Sequence, residues 1–194
     1  MRLVLIRHGR SAYENGKEWV DAAGLKRFQD AYDAAGIAAN DAPPPALAAQ
    51  VADAEFLVAS DLARAIESAE RLAAGRPVLH SPLLREMQLG VPTWLPPVRW
   101  PVGVWNACGH LQWGYKILRG TDAPPQERRR AASAAKWLAR LAHEGSPVVA
   151  VTHGVFRRLL AAQLLATGWE PDGPHRSYGH WSAWGFRSTR SNGA

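Results

Sequence analysis

Cysteine is almost absent from this chain of 194 residues, which has Cys108 alone and therefore cannot form an internal disulfide. Long apolar runs are absent too: the run at residues 3–6 ends at Arg7, and no stretch approaches the ~18 apolar residues of a membrane span. No signal peptide is recognisable, so we expect a cytoplasmic protein without a membrane-spanning segment. We expect Cys108 to be a core residue rather than a reactive thiol.

Lysine is also scarce, because only four of the 23 basic residues are lysines. The net charge of +6 therefore comes almost entirely from arginine, whose planar guanidinium binds phosphate or carboxylate groups in a bidentate manner. Phosphorylated small molecules and nucleic acids are the partner classes that this composition favours. The hydrophobic fraction of 47% and the nine tryptophans indicate a folded globular chain.

Short apolar runs alternate with segments of helical periodicity, which is typical of βαβ units. The predicted strands are residues 2–7, 56–59, 77–80 and 147–152, with a last, edge-like strand at 181–186. The predicted helices are residues 17–36, 46–53, 61–74, 126–143 and 155–167, the third with Ser60 as its N-cap. We predict an α/β fold, a three-layer sandwich whose mostly parallel central sheet is flanked by helices. It forms a single domain over residues 1–186, followed by a flexible tail at 187–194.

Residues 87–125 are rich in tryptophan, proline and glycine, which is more typical of an insertion than of a sheet unit. Within them, residues 102–118 have the spacing of a helix with one apolar stripe. That stripe consists of Val104, Cys108, Leu111, Tyr115 and Leu118, and a neighbouring stripe consists of Trp105, Gly109 and Trp113. Two interpretations stay open. The insertion packs on the body of the domain, or it caps a pocket and selects an apolar or aromatic phosphate ester.

Polar residues interrupt the predicted strands where they end. Arg7 and His8 follow the first strand, Ser60 the second and His153 the cleanest one, while Arg64 lies on the helix after Ser60. Ligands of open α/β sheets bind beyond the carboxyl ends of the strands, where helix N-termini also offer free N–H groups to anions. Two histidines and two arginines there suit phosphoryl transfer to a neutral imidazole, with arginine supplying the positive charge that a metal would otherwise bring.

Four separated motifs resemble the histidine phosphatase superfamily, in its phosphoglycerate-mutase-like branch. They are Arg7-His8-Gly9-Arg10-Ser11, Ser60-Asp61-Leu62-Ala63-Arg64-Ala65, Leu84-Arg85-Glu86 and Val151-Thr152-His153-Gly154. Their order and approximate spacing match across residues 2–168, which is more specific than any one motif. The resemblance implies a single histidine-phosphatase-like domain that needs neither cofactor nor metal.

By that resemblance, His8 is the nucleophile that becomes phosphohistidine. Arg7, Arg64 and His153 form the phosphate pocket, and Glu86 is the general acid and then the general base. Further substrate-binding residues implied by the motifs are Gly9, Ser11 and Gly154. We expect burial to raise the pKa of Glu86, and the second nitrogen of His8 to donate to a backbone carbonyl.

The chain departs from the family pattern at three places. Arg10 stands where Glu or Gln is usual, Glu14 stands where Asn is usual, and the prolines at 43–45 replace a Leu-Thr-x-x-Gly element. These departures bear on the substrate and disfavour mutase activity. If Glu86 is not the acid, Glu14 is the next candidate carboxylate.

The function that we predict is metal-independent hydrolysis of a phosphorylated small molecule. The alternatives are a phosphomutase and a non-catalytic protein that binds phosphate or nucleic acid, although no nucleic-acid partner is expected. Residues 128–130, three arginines, are interpreted as a solvated face, with recruitment of polyanions as the alternative. Arg157 and Arg158 are interpreted as lying outside the pocket, with contact of one of them to a second anionic group of the substrate left open. The five other histidines, including His180, lack metal-ligand spacing and are interpreted as structural or surface residues. The strand at 181–186 is a candidate pairing surface for a homo-oligomer.

Overall fold

The computed structural model describes residues 1–13, 17–92, 94, 96, 98–119, 123–142, 147–174 and 177–188. The strands are β1 Arg2–Arg7, β2 Trp19–Val20, β3 Phe56–Ala59, β4 Val78–His80, β5 Trp100–Pro101, β6 Val148–Thr152, β7 Glu170–Asp172 and β8 Ala183–Arg187. The α-helices are α1 Ala22–Ala34, α2 Pro45–Gln50, α3 Ala63–Ala73, α4 Val102–Leu118, α5 Pro125–Leu141 and α6 Gly154–Ala166. A short 3-10 helix covers Pro82–Leu84.

The main sheet has the strand order β4-β3-β6-β1-β8-β7 within the described residues. Strands β4, β3, β6 and β1 are parallel, with Leu5 opposite Ala150 at the centre, and β8 is antiparallel to both β1 and β7. The predicted α/β architecture with a mostly parallel sheet is therefore confirmed. A second sheet pairs β2 with β5 and so joins the insertion to the segment before α1.

Both faces of the main sheet are covered, which explains why its central strands are continuous apolar runs rather than alternating ones. Leu3 and Leu5 of β1 face a core that α5 and α6 complete, and Val4 and Ile6 face a second core built with α3. Helix α5 presents a row of alanines to the sheet, including Ala134, which has no exposed surface. Such small side chains let the helix lie close to the strands.

Several predicted helices differ in their bounds from those observed, and the helix expected at 46–53 is α2, Pro45–Gln50. The helix expected at 17–36 begins only at Ala22, after strand β2, and its N-cap is Asp21, which accepts from Gly24 N. Ser60 is not an N-cap, because α3 begins at Ala63 and the Ser60 hydroxyl accepts from Leu62 N at 3.3 Å in a turn before the helix. The helix predicted to reach 143 ends at Leu141, and residues 143–146 lie outside the described residues.

The last strand is also placed differently from the prediction. β8 is not an edge strand, because it pairs with β1 on one side and with β7, which the sequence did not reveal, on the other. The pairing surface expected at 181–186 is therefore already occupied within the chain. Arg187 belongs to β8 and Ser188 N donates to Met1 O, while 189–194 of the predicted tail lie outside the described residues.

The insertion contains the predicted helix, but its buried stripe is the other one. Leu111 and Tyr115 are 69% and 56% exposed, whereas Trp105 is 3% exposed. Trp105 packs with Val20 and Leu25, and its indole N–H donates to Val20 O at 3.0 Å, so α4 is fastened to α1 and β2. Cys108 is half-buried. None of the helices in the described part of the chain is long and apolar enough to cross a membrane.

We expect Ala134→Leu to lower the free energy of unfolding by about 1–3 kcal/mol, because the larger side chain has no space between α5 and the sheet. Urea unfolding followed by circular dichroism measures the change. Ala162→Leu on the exposed face of α6 is the matched control and should shift the free energy by less than about 0.5 kcal/mol. Equal effects of the two variants would contradict this account of the packing.

Candidate active site

His8 lies immediately after β1, where its backbone N–H donates to Thr152 O of the neighbouring β6 at 3.0 Å. Its side chain is buried, and its Nδ1 is 2.6 Å from the carbonyl oxygen of Gly9. A carbonyl oxygen can only accept a hydrogen bond, so Nδ1 carries the proton and Nε2 has the free lone pair. Arg64 Nε approaches that nitrogen at 3.4 Å. The expected donation to a backbone carbonyl is thus present in the geometry.

Arg64 is the second residue of α3 and is 1% exposed. Helix α1 holds its guanidinium: Nη1 donates to Tyr32 O at 3.1 Å and to Asp33 Oδ1 at 3.0 Å, and the group lies 4.4 Å from the centre of the Tyr32 ring. The sequence did not single out Tyr32 or Asp33, since no local pattern predicts a contact between α1 and α3.

Two further histidines contact His8. His153, the N-cap residue of α6, is fully buried, and its ring centre is 5.0 Å from that of His8. Neither ring nitrogen of His153 has a hydrogen-bond partner among the described residues. The His180 ring lies edge-on to His8 at 5.5 Å. His180 was interpreted as structural or surface, and no motif signalled its position.

Arg7 extends from the end of β1 toward the start of α6. Its Nη1 donates to Tyr178 O, while its Nε has no partner among the described residues. A Cβ at Gly154, the first residue of α6, would stand 3.4 Å from that Nε, so the glycine leaves room beside the guanidinium. Both residues line the cavity described below.

Glu86 reaches the same place from the segment after the 3-10 helix. Its Oε1 accepts from Phe156 N at 2.8 Å and from Met87 N at 3.0 Å, and its Oε2 accepts from Val155 N at 3.3 Å. The N–H groups at the start of α6, which the sequence suggested for an anionic ligand, are thus partly taken by this carboxyl. The segment is secured by Thr152, whose hydroxyl donates to Leu84 O at 2.8 Å.

Burial dominates the ionisation of these groups. It raises the pKa of Glu86 above its ordinary value, although the three backbone N–H groups act in the opposite direction. Burial, and then the charge of Arg64, lower the pKa of His8 well below its usual range. Burial also lowers the pKa of His153 well below its usual range. At neutral pH both imidazoles are therefore neutral beside two arginines.

Gly9 and Ser11 do not line the cavity. The Gly9 amide donates to Ser68 Oγ at 2.8 Å, and a Cβ at Gly9 would stand 2.5 Å from a carboxylate oxygen of Asp41, so glycine is needed for packing there. The Ser11 hydroxyl is buried and accepts from Tyr13 N at 3.2 Å. Glu14, the alternative carboxylate, lies outside the described residues.

A cavity of about 470 Å³ opens above these residues, with Arg7, Arg64 and Glu86 at one end. His8 and His153 lie behind the arginines and are almost completely covered. The cavity walls come from α1, α4 and residues 87–92. In the described part of the chain, no group of three His, Cys, Asp or Glu side chains could hold a metal ion.

Two arginines interpreted from the sequence as peripheral have structural contacts. Arg128 and Arg129 are exposed, as the solvated-face interpretation expects, whereas Arg130 is half-buried. It donates to Leu83 O and Arg85 O at 3.1 and 2.6 Å and thereby supports the segment before Glu86. Arg157 is fully buried outside the cavity lining, where it donates to Ser182 O and Ser177 O at 2.6 and 3.1 Å. Burial lowers its pKa to about 10.

A comparison with protein-family models matches residues 3–187 to the histidine phosphatase superfamily, branch 1. The chain belongs to this family. Its membership supports an enzyme of phosphatase or phosphotransferase type. No curated protein matches the sequence.

Solved structures of phosphatases and of a hydrolase share the fold. A mycobacterial glucosyl-3-phosphoglycerate phosphatase with bound VO3 has a TM-score of 0.59 and 23% identity, over 96% of each chain. A mycobacterial hydrolase has a TM-score of 0.61 and 21% identity, over 100% of this chain and 98% of that one. An Entamoeba histolytica phosphoserine phosphatase mutant with phosphoserine has a TM-score of 0.53 and 18% identity, over 85% and 80%.

We expect the free energy of unfolding to fall as the pH is lowered from 7 to 5. Because His8 and His153 have lower pKa values in the folded protein than their ordinary value near 6.5, only the unfolded chain binds protons at first. Each histidine contributes up to about 1.4 kcal/mol per pH unit below 6.5. Urea unfolding at several pH values measures the slope. The double variant His8→Gln/His153→Gln should show a flatter slope, and an unchanged slope would contradict the assignment.

Proposed function

We propose that the protein is a metal-independent phosphomonoesterase that hydrolyses a phosphorylated small molecule through a phosphohistidine on His8. The observation that carries this proposal is the neutral His8 ring, whose Nδ1 is held by the Gly9 carbonyl so that Nε2 presents a lone pair beside Arg64. A neutral nitrogen among cations is suited to attack an anionic phosphoryl group, since the cations offset the repulsion of its charge.

In the first step, Nε2 of His8 attacks phosphorus and the bond between phosphorus and the ester oxygen breaks. The phosphoryl oxygens take over the donors of Arg64 and Arg7, so the Arg64 Nε–H that now approaches His8 turns to the substrate. The unpartnered Nε of Arg7 and the unpartnered ring of His153 are further groups available to those oxygens. Two arginines and a buried site supply the charge stabilisation without a metal or a cofactor.

Glu86 gives its proton to the departing oxygen. Its raised pKa favours the protonated form that this role requires. Oε1 already accepts two backbone hydrogen bonds and Oε2 only one long bond, so Oε2 is the oxygen that carries the proton. The alcohol product then leaves with that proton.

In the second step, the Glu86 carboxylate removes a proton from water while the water oxygen attacks phosphorus. The bond between phosphorus and Nε2 breaks, inorganic phosphate leaves, and His8 is neutral and Glu86 protonated again. A mutase would instead return the phosphoryl group to an alcohol. The similar structures named as phosphatases, for phosphoserine and for glucosyl-3-phosphoglycerate, support hydrolysis as the outcome here.

His8→Ala is expected to lower turnover by at least ~10⁴-fold, because it removes the covalent nucleophile. The assay is phosphate release from p-nitrophenyl phosphate in the presence of EDTA. His80→Ala, at the exposed end of β4, is the matched control and should retain wild-type turnover. The proposal would be overturned if EDTA abolished wild-type activity or if His8→Ala remained active.

Glu86→Gln is expected to lower kcat/KM of an alkyl phosphate by about 10²–10⁴-fold and that of p-nitrophenyl phosphate by much less, since kcat/KM reports the first step alone. The reason is that p-nitrophenolate is a good leaving group and departs without a proton, whereas an alkoxide must be protonated as it leaves. Glu70→Gln, on the exposed face of α3, is the control. An equal loss on both esters, or none on the alkyl ester, would remove Glu86 from the acid role.

A further inference from the structure

We propose that the alcohol part of the substrate is an uncharged, planar apolar group, such as an arylalkyl alcohol, bound between helices α1 and α4. This inference rests on the proposed phosphatase function and concerns the end of the cavity away from Arg7, Arg64 and Glu86. The volume of about 470 Å³ lies within the range of about 300–1,000 Å³ of small-molecule pockets. It leaves space for a substantial leaving group beyond the phosphate.

The wall formed by α4 consists of Trp105, Gly109 and Trp113, at intervals of four residues, together with the polar side chains of Asn106 and His110. Trp105 is fixed in place by its bond to Val20 O. Gly109 is buried and lines the cavity, and a Cβ there would make only an ordinary contact of 3.7 Å with Leu89 Cβ, so no side chain of α4 fills the position between the two tryptophans. Two indole rings separated by a residue without a side chain form a shallow apolar slot on the helix.

The opposite wall comes from α1 and is also aromatic. Phe28 and Tyr32 lie on this wall with Leu25, and their rings are stacked, with centres 6.2 Å apart and an angle of 16° between planes. Tyr32 also contacts Arg64, so the aromatic wall begins directly beside the phosphate end. Aromatic surfaces on both sides favour a planar group, which gains offset-stacked or edge contacts there.

The charges of the lining argue against an acidic leaving group. Among the described lining residues, Arg7 and Arg64 are the only lysine or arginine side chains, and both lie at the phosphate end. Arg64 is already paired with Asp33. The acidic side chains of the lining, Asp33 and Glu86, would repel a carboxylate on the substrate. A phosphoglycerate or phosphoserine therefore finds no lysine or arginine for its carboxylate beyond the phosphate end, where His110 is the one other basic side chain among the described lining residues.

The first test compares three alkyl monophosphates whose oxygen leaves as an ordinary alcohol: 2-naphthylmethyl phosphate, glycerol 1-phosphate and 3-phosphoglycerate. Similar leaving groups keep the chemical step comparable, so kcat/KM reports recognition of the alcohol part. We expect 2-naphthylmethyl phosphate to exceed 3-phosphoglycerate by about 30-fold or more, from the apolar area that the slot buries. A preference for 3-phosphoglycerate overturns the inference but leaves the phosphatase function standing. No turnover of any of the three overturns the function itself.

The second test fills the slot. Gly109→Leu is expected to lower the kcat/KM ratio of 2-naphthylmethyl phosphate to glycerol 1-phosphate by at least ~10-fold, because the new side chain occupies the space between the indoles. Gly114→Leu is the matched control on the same helix: its Cβ meets nothing within 4 Å, it lies outside the lining, and the ratio should not change. Phe28→Ala on the opposite wall should also lower this kcat/KM ratio. It replaces Gly109→Leu as the test if that variant does not fold. An unchanged ratio in a folded Gly109→Leu or Phe28→Ala protein overturns the inference.

Discussion

The hydrogen bond from His8 Nδ1 to the carbonyl of Gly9 is the constraint on which the site depends. It fixes the tautomer and the ring orientation, and it leaves Nε2 as the basic nitrogen of this ring, beside the buried guanidinium of Arg64. The loop that provides this carbonyl is held by several contacts. The Gly9 amide is bound by Ser68, and the carboxylate of Asp41, which also accepts from Arg10 N and Trp181 Nε1, lies where a Cβ at Gly9 would be.

Residues 177–182 form the other side of the site, and this segment contains a strained backbone conformation. Trp181 has a φ of 58°, a left-handed conformation that a bulky side chain rarely adopts, yet its N–H bonds Arg7 O and its indole bonds Asp41. Arg157 is buried beneath this segment, binds two of its carbonyl groups and lies 4.1 Å from the Trp184 ring. The same segment supplies the carbonyl of Tyr178 to Arg7 and the ring of His180 to His8, so its conformation orients both residues of the proposed phosphate site.

The parts of the molecule that local patterns determine were predictable from the sequence. Strand β3 and helix α4 were predicted with the bounds that the structure gives, because a short apolar run and a regular 3–4 spacing report local geometry. Contacts between distant segments leave no such pattern: the pairing of Asp33 with Arg64 and the position of His180 beside His8 could not be predicted. The buried stripe of α4 was misassigned because both candidate faces carry large apolar side chains, aliphatic residues and a tyrosine on one and tryptophans on the other, and only the partner helix α1 decides between them.

The two ends of the cavity are not independent, because Arg64 belongs to both. Its Nε faces His8, whereas its Nη1 is bonded to Tyr32 O and Asp33, at the end of the helix whose Phe28 and Leu25 form the apolar wall. That helix is in turn fastened to the insertion, through the pairing of β2 with β5 and the bond from Trp105 to Val20 O. In the proposed mechanism, a group bound between α1 and α4 therefore bears on the same guanidinium that turns toward the phosphoryl oxygens. The proposal then links recognition of the alcohol to alignment of the phosphate, and a poorly fitting alcohol should lower kcat as well as raise KM.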